Sequence, residues 1–215
     1  MHFLCKKAVM DVVLLSDEAR KNEFTAYPIP EGCRITWLDH LPESPETIHA
    51  DLLIDLLFDN DPQRIEWLRN PAFGSVLADW HQLLDEPFVT INGWSGFLGS
   101  TLIEALSTHP LTMQRAEGMM ARIGRRIEWT SAKAMTGQRI VSGIINEAFL
   151  TLEEATADEE GVDTAMKLGT NYPYGPFDWA YRIGYKKVVS MLAQLCAENP
   201  GYTVSILLKE KALAQ

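Results

Sequence analysis

The side chains best suited to acid–base, nucleophilic or metal chemistry are few in this chain, and they are scattered. Five histidines (His2, His40, His49, His81 and His109) show no ligand spacing of the H-x-x-x-H kind. Three cysteines (Cys5, Cys33 and Cys196) are odd in number and far apart, which argues against a disulfide framework and against a zinc site on paired cysteines. No metal site is expected. His81, in "ADWHQLL", could supply an imidazole, although an isolated loop histidine is more often solvated or hydrogen-bonded. The formal net charge of -10 would repel a phosphate backbone, so nucleic acid is not an expected partner. No basic cluster suggests an anionic membrane surface. No stretch has the apolar length of a membrane span or the h-region of a signal peptide, and the expectation is a reduced, cytoplasmic protein.

The elements that must position these residues alternate in the first half. "VVLLSD" reads as a buried strand, and Ser16 is placed to cap the helix "DEARKNEF". "RITWLDH", "ADLLIDLLFD", "SVLAD", "FVTING" and "RRIEWTS" are further strands. "PQRIEWLRN", with Pro62 at its start, and "TMQRAEGMMARIG" are helices, and "LPESPET" is a loop punctuated by Pro42 and Pro45. Strand alternating with helix predicts a parallel sheet covered by helices. From Thr136 onward the pattern turns helical. Ile140, Val141, Ile144, Ile145, Ala148 and Phe149 form a wide apolar face on one long helix. Four shorter helices follow: "DEEGVDTAMKLG", ended by Gly169, then "GPFDWAYRIG", "VVSMLAQLCAEN" and "SILLKEKALA". The boundary is placed near Lys133, giving an α/β domain over 1–133 and an all-α domain over 134–215. The breadth of the apolar face on Gln138–Glu154 predicts a homodimer.

Between two of these helices lies "MKLGTNYPYGPFDW". Pro173 forbids helix at Tyr172, and Gly169 and Gly175 permit unusual backbone, so the segment reads as a stiff helix–helix corner filled by aromatics. In its wider context, "IINEAFLTLEEATADEEGVDTAMKLGTNYPYGPFDWAYRIG" resembles the C-terminal helical domain of the 3-hydroxyacyl-CoA dehydrogenases. Asn146-Glu147-Ala148, Asp163, Ala165-Met166, Gly169, Tyr172-Pro173, Gly175-Pro176-Phe177 and Gly184 match that family's pattern in order and spacing. More faintly, "ADLLIDLLFDNDPQRIEWL" looks like the family's Ala-Asp-Leu-Val-Ile-Glu strand and its following helix.

The resemblance implies a trimmed Rossmann-like domain followed by the helical domain, an acyl-CoA ligand, and dimerisation through the helices. It also assigns the family's catalytic positions. The His falls on Asn92 and the Glu on Glu104; the substrate-binding Asn before an Arg falls on Gln138, and the segment of the family's Ser holds none but includes His81. An amide accepts no proton near neutral pH, so Asn92 cannot be a general base. NAD would be the cofactor if the family's activity is retained. A Rossmann domain needs G-x-G-x-x-G after its first strand, and here "SDEARKNEF" follows, with Asp17 and Glu18 in the first turn of a helix. Asp39 has the type and rough spacing of the family's ribose-binding acid. Gly93, Gly96 and Gly99 of "NGWSGFLG" read as turn residues. The expectation is a degenerate homologue that binds an acyl-CoA or partners an active enzyme; a divergent active dehydrogenase and a structural dimerisation module are the alternatives.

Overall fold

In the computed structural model, residues 9–42, 48–59, 61–130 and 134–215 are described. Cys5, Pro45 and the Lys133 boundary lie outside them. The chain forms two compact units. The first comprises residues 1–93 and 97–133, the second residues 94–96 and 134–215.

The first unit is a seven-stranded sheet. Its elements in chain order are β1 (Met10–Leu15), α1 (Glu18–Ala26), β2 (Cys33–Leu38), β3 (Ala50–Asp55), α2 (Pro62–Leu68), β4 (Phe73–Asp79), β5 (Val89–Ile91), β6 (Leu102–Leu106), α3 (Pro110–Arg122) and β7 (Arg126–Trp129). The strand order is β2-β1-β3-β4-β5-β6-β7. Neighbours are parallel throughout except β5 and β6. The expectation of a parallel sheet therefore holds with one correction. "LIEAL", read as no strand from the sequence, is the antiparallel β6. Its five residues follow a loop too short to carry a crossover helix, which parallel pairing would need.

The central strands β1, β3 and β4 are buried along almost their whole length, as strands covered on both faces should be. Successive residues go to opposite cores. Val12, Leu14, Leu52 and Ile54 join Phe24 of α1 and Met120 of α3. Val13, Leu15, Leu53 and Val76 join Trp67 of α2 and Phe88. Edge strands β2 and β7 instead alternate between half-buried and exposed positions over most of their length.

The second unit is α4 (Thr136–Glu153), α5 (Glu159–Thr170), α6 (Pro176–Ile183), α7 (Tyr185–Glu198) and α8 (Ile206–Leu213). Helix α4 packs against α6, α7 and α8. Phe149 stacks edge-on to Phe177 at 4.8 Å between ring centroids. Asn146 is fully buried on the same helix. Its Nδ2 donates to the Thr203 carbonyl at 2.9 Å and its Oδ1 accepts from Ser205 N at 3.0 Å, so the segment before α8 is bonded to α4.

The corner between α5 and α6 differs from the expectation in two residues. Helix α5 runs past Gly169 and ends at Asn171, which takes the left-handed conformation (φ 57°). Asparagine tolerates that region better than other side-chained residues. Gly175 has ordinary extended dihedrals. It is required for space: a Cβ there would lie 2.2 Å from Asp163 Cγ. That closeness lets Asp163 cap α6. Its two carboxylate oxygens accept from Phe177 N at 2.8 Å and Asp178 N at 3.0 Å. Pro176, at the first helical position, has no N–H to satisfy. Trp179 then fills the corner, with Tyr172 and Tyr174 edge-on to it and its Nε1 donating to the Ser95 carbonyl at 2.6 Å.

Candidate functional site

In open α/β sheets, ligands gather at the carboxyl ends of the parallel strands. Here that edge carries Ser16 after β1, Asp55 ending β3, Asp79 ending β4 and Asn92 after β5, all buried.

The N-terminus of α1 is closed by its own side chains. Asp17 rather than Ser16 is the cap. Its extended backbone (φ -73°, ψ 169°) turns the carboxylate onto the helix, whereas the Ser16 hydroxyl donates to the Asp17 carbonyl. Asp17 Oδ1 accepts from Arg20 N at 2.8 Å, and Oδ2 pairs with the Arg20 guanidinium at 2.5 Å. Glu18 adds a second carboxylate in the first turn. A dinucleotide's diphosphate needs free backbone N–H groups at this point. Here one is consumed, and the Asp17 carboxylate, paired with Arg20, occupies the end of the helix with Glu18 next to it, so the residues present do not fit that group. Asp39 follows β2, is exposed, and pairs with His40, whose imidazole holds the Asp39 carboxyl below the usual carboxylate range.

Asn92 and Glu104 are brought together. In the β5–β6 ladder Ile91 pairs with Ala105, and continuing that register by one residue sets Asn92 opposite Glu104. Asn92 N donates to the Glu104 carbonyl at 2.9 Å, and Asn92 Nδ2 donates to Glu104 Oε2 at 3.3 Å. Asn92 is buried and Glu104 half-buried. Glu104 is therefore neither a surface residue nor a cap. His81 lies beyond β4, 2% exposed, its ring 4.3 Å from that of Trp80. Gln138 belongs to the second unit, in the first turn of α4, and is fully buried.

Several polar residues that the motifs did not single out hold the loop after β5. Asp79 Oδ1 accepts from Gly93 N at 2.9 Å, and a Cβ on Gly93 would come within 2.7 Å of Asp79 Cβ. Glu23 accepts from Leu98 N at 2.8 Å. Arg125 is buried and donates to the carbonyls of Leu98, Ser100 and Phe24 at 2.6, 2.6 and 2.7 Å, with its guanidinium 3.9 Å over the Phe24 ring. Burial pushes its pKa down to about 10. Asp55 makes a two-pronged pair with Arg64, at 2.9 and 2.8 Å, and burial still pushes the Asp55 carboxyl up. The only sequence signal for the loop anchors was the run of glycines they serve.

The second unit also has an apolar cavity of about 630 Å³, lined by Ile140, Ile144, Val162, Met166 and Tyr202 among others. Helix α5, on its rim, has no buried residue, and Ile140 is 56% exposed. No helix among the described residues is long and apolar enough to cross a membrane.

Residues 135–215 match the C-terminal domain of 3-hydroxyacyl-CoA dehydrogenase. The 3-hydroxyadipyl-CoA dehydrogenase of Escherichia coli is 29% identical over 61% of this chain and 28% of its own length. The 3-hydroxybutyryl-CoA dehydrogenase of Bradyrhizobium diazoefficiens is 33% identical over 44% of this chain and 32% of its own. The chain thus spans about a third of the length of these curated relatives. Among solved structures, the (S)-3-hydroxybutyryl-CoA dehydrogenase PaaH1 of Ralstonia eutropha superposes with a TM-score of 0.63 at 17% identity, over 96% of this chain and 94% of that one. This last likeness is one of fold.

Proposed function

Because residues 135–215 carry the C-terminal domain of the 3-hydroxyacyl-CoA dehydrogenases, we propose a dehydrogenase-like protein of fatty-acid metabolism whose NAD-dependent turnover is lost or much weakened. It binds an acyl-CoA, or serves as partner to an active enzyme. The observation that carries this reading is the Asp17–Arg20 closure of α1, where a dinucleotide's diphosphate would otherwise sit. The amide of Asn92 adds to it, because its Nδ2 is spent as a donor to Glu104 and it can take no proton from a substrate hydroxyl. Calorimetry with NADH and with a 3-hydroxyacyl-CoA tests the reading: it expects heat from the thioester and none from NADH. NADH binding would restore the alternative of an active, divergent dehydrogenase. That alternative is favoured by His81, an imidazole sealed beyond β4, and by the retained Glu104.

The protein is further proposed to be a homodimer through the helical unit. The apolar cavity beside α4 and α5 supports this, since no residue of α5 is fully buried and Val162 and Met166, half-buried, line it. A sedimentation mass of one chain at micromolar concentration would count against it, and binding of neither NADH nor thioester would leave dimerisation as the remaining role. The free thiols of Cys33 and Cys196 suit a reducing cytoplasm.

A further inference from the structure

A cavity of about 170 Å³ lies in the sheet unit, between the start of β4 and the first turn of α3. Ser75 is on its wall, roughly 13 Å along the strand from Asp79 and so near the opposite end of β4. Val76 joins the core with Trp67, whereas Leu77 joins the core with Ala116 of α3. Alternation therefore turns the Ser75 side chain to the α3 face. Ser75 is 5% exposed, and its Oγ has no hydrogen-bond partner among the described residues. Buried hydroxyls without partners are costly and uncommon. The facing wall includes Thr112, the third residue of α3, so the cavity meets the positive end of that helix's dipole. His109, at the N-cap, makes no side-chain bond to the turn. Asn70 Oδ1 accepts from Ala72 N at 2.9 Å, which leaves Nδ2 to donate. Arg69 is taken by Glu86 through bonds of 2.8 and 2.7 Å, whereas Arg115 lines the cavity from the exposed side of α3. Among the described residues no carboxylate lines it, in a chain of net charge -10.

We propose that this cavity binds a small phosphate-type oxyanion, with Arg115, the Thr112 and Ser75 hydroxyls and the Asn70 amide as its donors. Each of these side chains can donate to an anion, and a guanidinium matches two phosphate oxygens at once. The ligand supplies the acceptor that Ser75 Oγ lacks, and its charge complements the end of α3. At ~30 Å³ per water, the volume holds about six waters. It therefore admits a tetrahedral oxyanion with a short substituent and excludes a nucleotide. Free inorganic phosphate and the phosphate end of a small monoester share this chemistry, and the test separates them. The site is distinct from the strand edge around Asn92 and owes nothing to the dehydrogenase reading.

The test is calorimetry of the full chain with inorganic phosphate, glycerol 3-phosphate and acetate at constant ionic strength, on the wild type, Ser75→Ala and Arg115→Gln. The wild type is expected to bind inorganic phosphate at one site, with acetate clearly weaker. Arg115→Gln should weaken phosphate binding roughly tenfold and Ser75→Ala roughly fivefold. Ser75→Ala should keep the wild-type Tm in phosphate-free buffer, because no hydrogen bond is lost. Glycerol 3-phosphate binding as tightly as inorganic phosphate supports the site and assigns it to the end of a small monoester. Binding of inorganic phosphate alone supports the site and assigns it to the free ion. No heat from either phosphate overturns the inference, and so does acetate binding as tight as phosphate. Unchanged phosphate affinity in either variant also overturns it, because the anion is then held elsewhere. A Tm several degrees lower in Ser75→Ala does the same, since it marks a structural hydroxyl bonded through trapped water.

Discussion

The corner between α5 and α6 and the strand edge around Asn92 are built with equal care and to different ends. At the corner, four residues have architectural tasks. Asp163 caps α6, Gly175 makes room for that carboxylate, Pro176 starts the helix, and Trp179 fills the turn. At the strand edge the backbone register sets two side chains side by side, and what they can do depends on the residue type at one position. The β5–β6 register still sets position 92 against Glu104, but the side chain there is an amide. Backbone register is fixed by many hydrogen bonds and buried side chains, whereas proton transfer depends on one residue type. A single substitution can therefore change what a site can do without disturbing the scaffold that positions it.

The largest expected effect lies in the scaffold beside the strand edge. Arg125→Met would orphan three carbonyls and remove one of the ties between α1 and the loop after β5, leaving the Glu23–Leu98 bond. A loss of about 3 kcal/mol is expected, enough to lower Tm by roughly 10 °C. Thermal unfolding within 1 °C of wild type would show that the loop is held by other means.

Next comes the corner. Gly175→Ala should cost about 2 kcal/mol by forcing a Cβ against Asp163. In an Asp163→Gly background the same change should cost much less, since the clash is gone. Additive losses in that double-mutant cycle would mean the glycine serves something other than space. Asp163→Ala alone should cost about 1 kcal/mol as a lost helix cap.

The buried Asp55 offers a pH test within the sheet unit. Burial outweighs Arg64 and raises its folded-state pKa above the value of 3.8 for an exposed carboxyl. The folded state therefore holds this proton more tightly than the unfolded chain. The stability it adds is fully present below the unfolded pKa and is lost as pH rises through the folded one. Carboxyl NMR should place the Asp55 midpoint above 3.8, and a midpoint below it would mean that the Arg64 pairing dominates.

Asn92→His sharpens the comparison with the smallest expected change. It places a His beside Glu104 on an intact register, yet NAD reduction should stay at background while Asp17 closes α1. Turnover appearing in the single variant but not in the wild type would show that position 92 alone limits the reaction and that the α1 closure does not.

Much of this was legible in the sequence because the signals were local. Val12 to Leu15 and Ala50 to Asp55 read as buried strands by composition, and the corner announced itself through Pro173, Gly175 and Pro176. Asp17 and Glu18 were visible as first-turn acids, although Ser16 competed for the cap and only the backbone angles at Asp17 decide between them. β6 was hidden because "LIEAL" is short and its pairing is supplied by Thr90 and Ile91 of another strand. The anchors Glu23, Asp79 and Arg125 act over separations of 14 to 101 residues, which no periodicity records.

The central claim is that an internal ion pair fills the place at α1 where a dinucleotide's diphosphate would bind. Absorbance at 340 nm with purified protein, NAD and a 3-hydroxyacyl-CoA tests it most directly. No reduction above the protein-free rate is expected. Steady production of NADH that scales with protein concentration would contradict it.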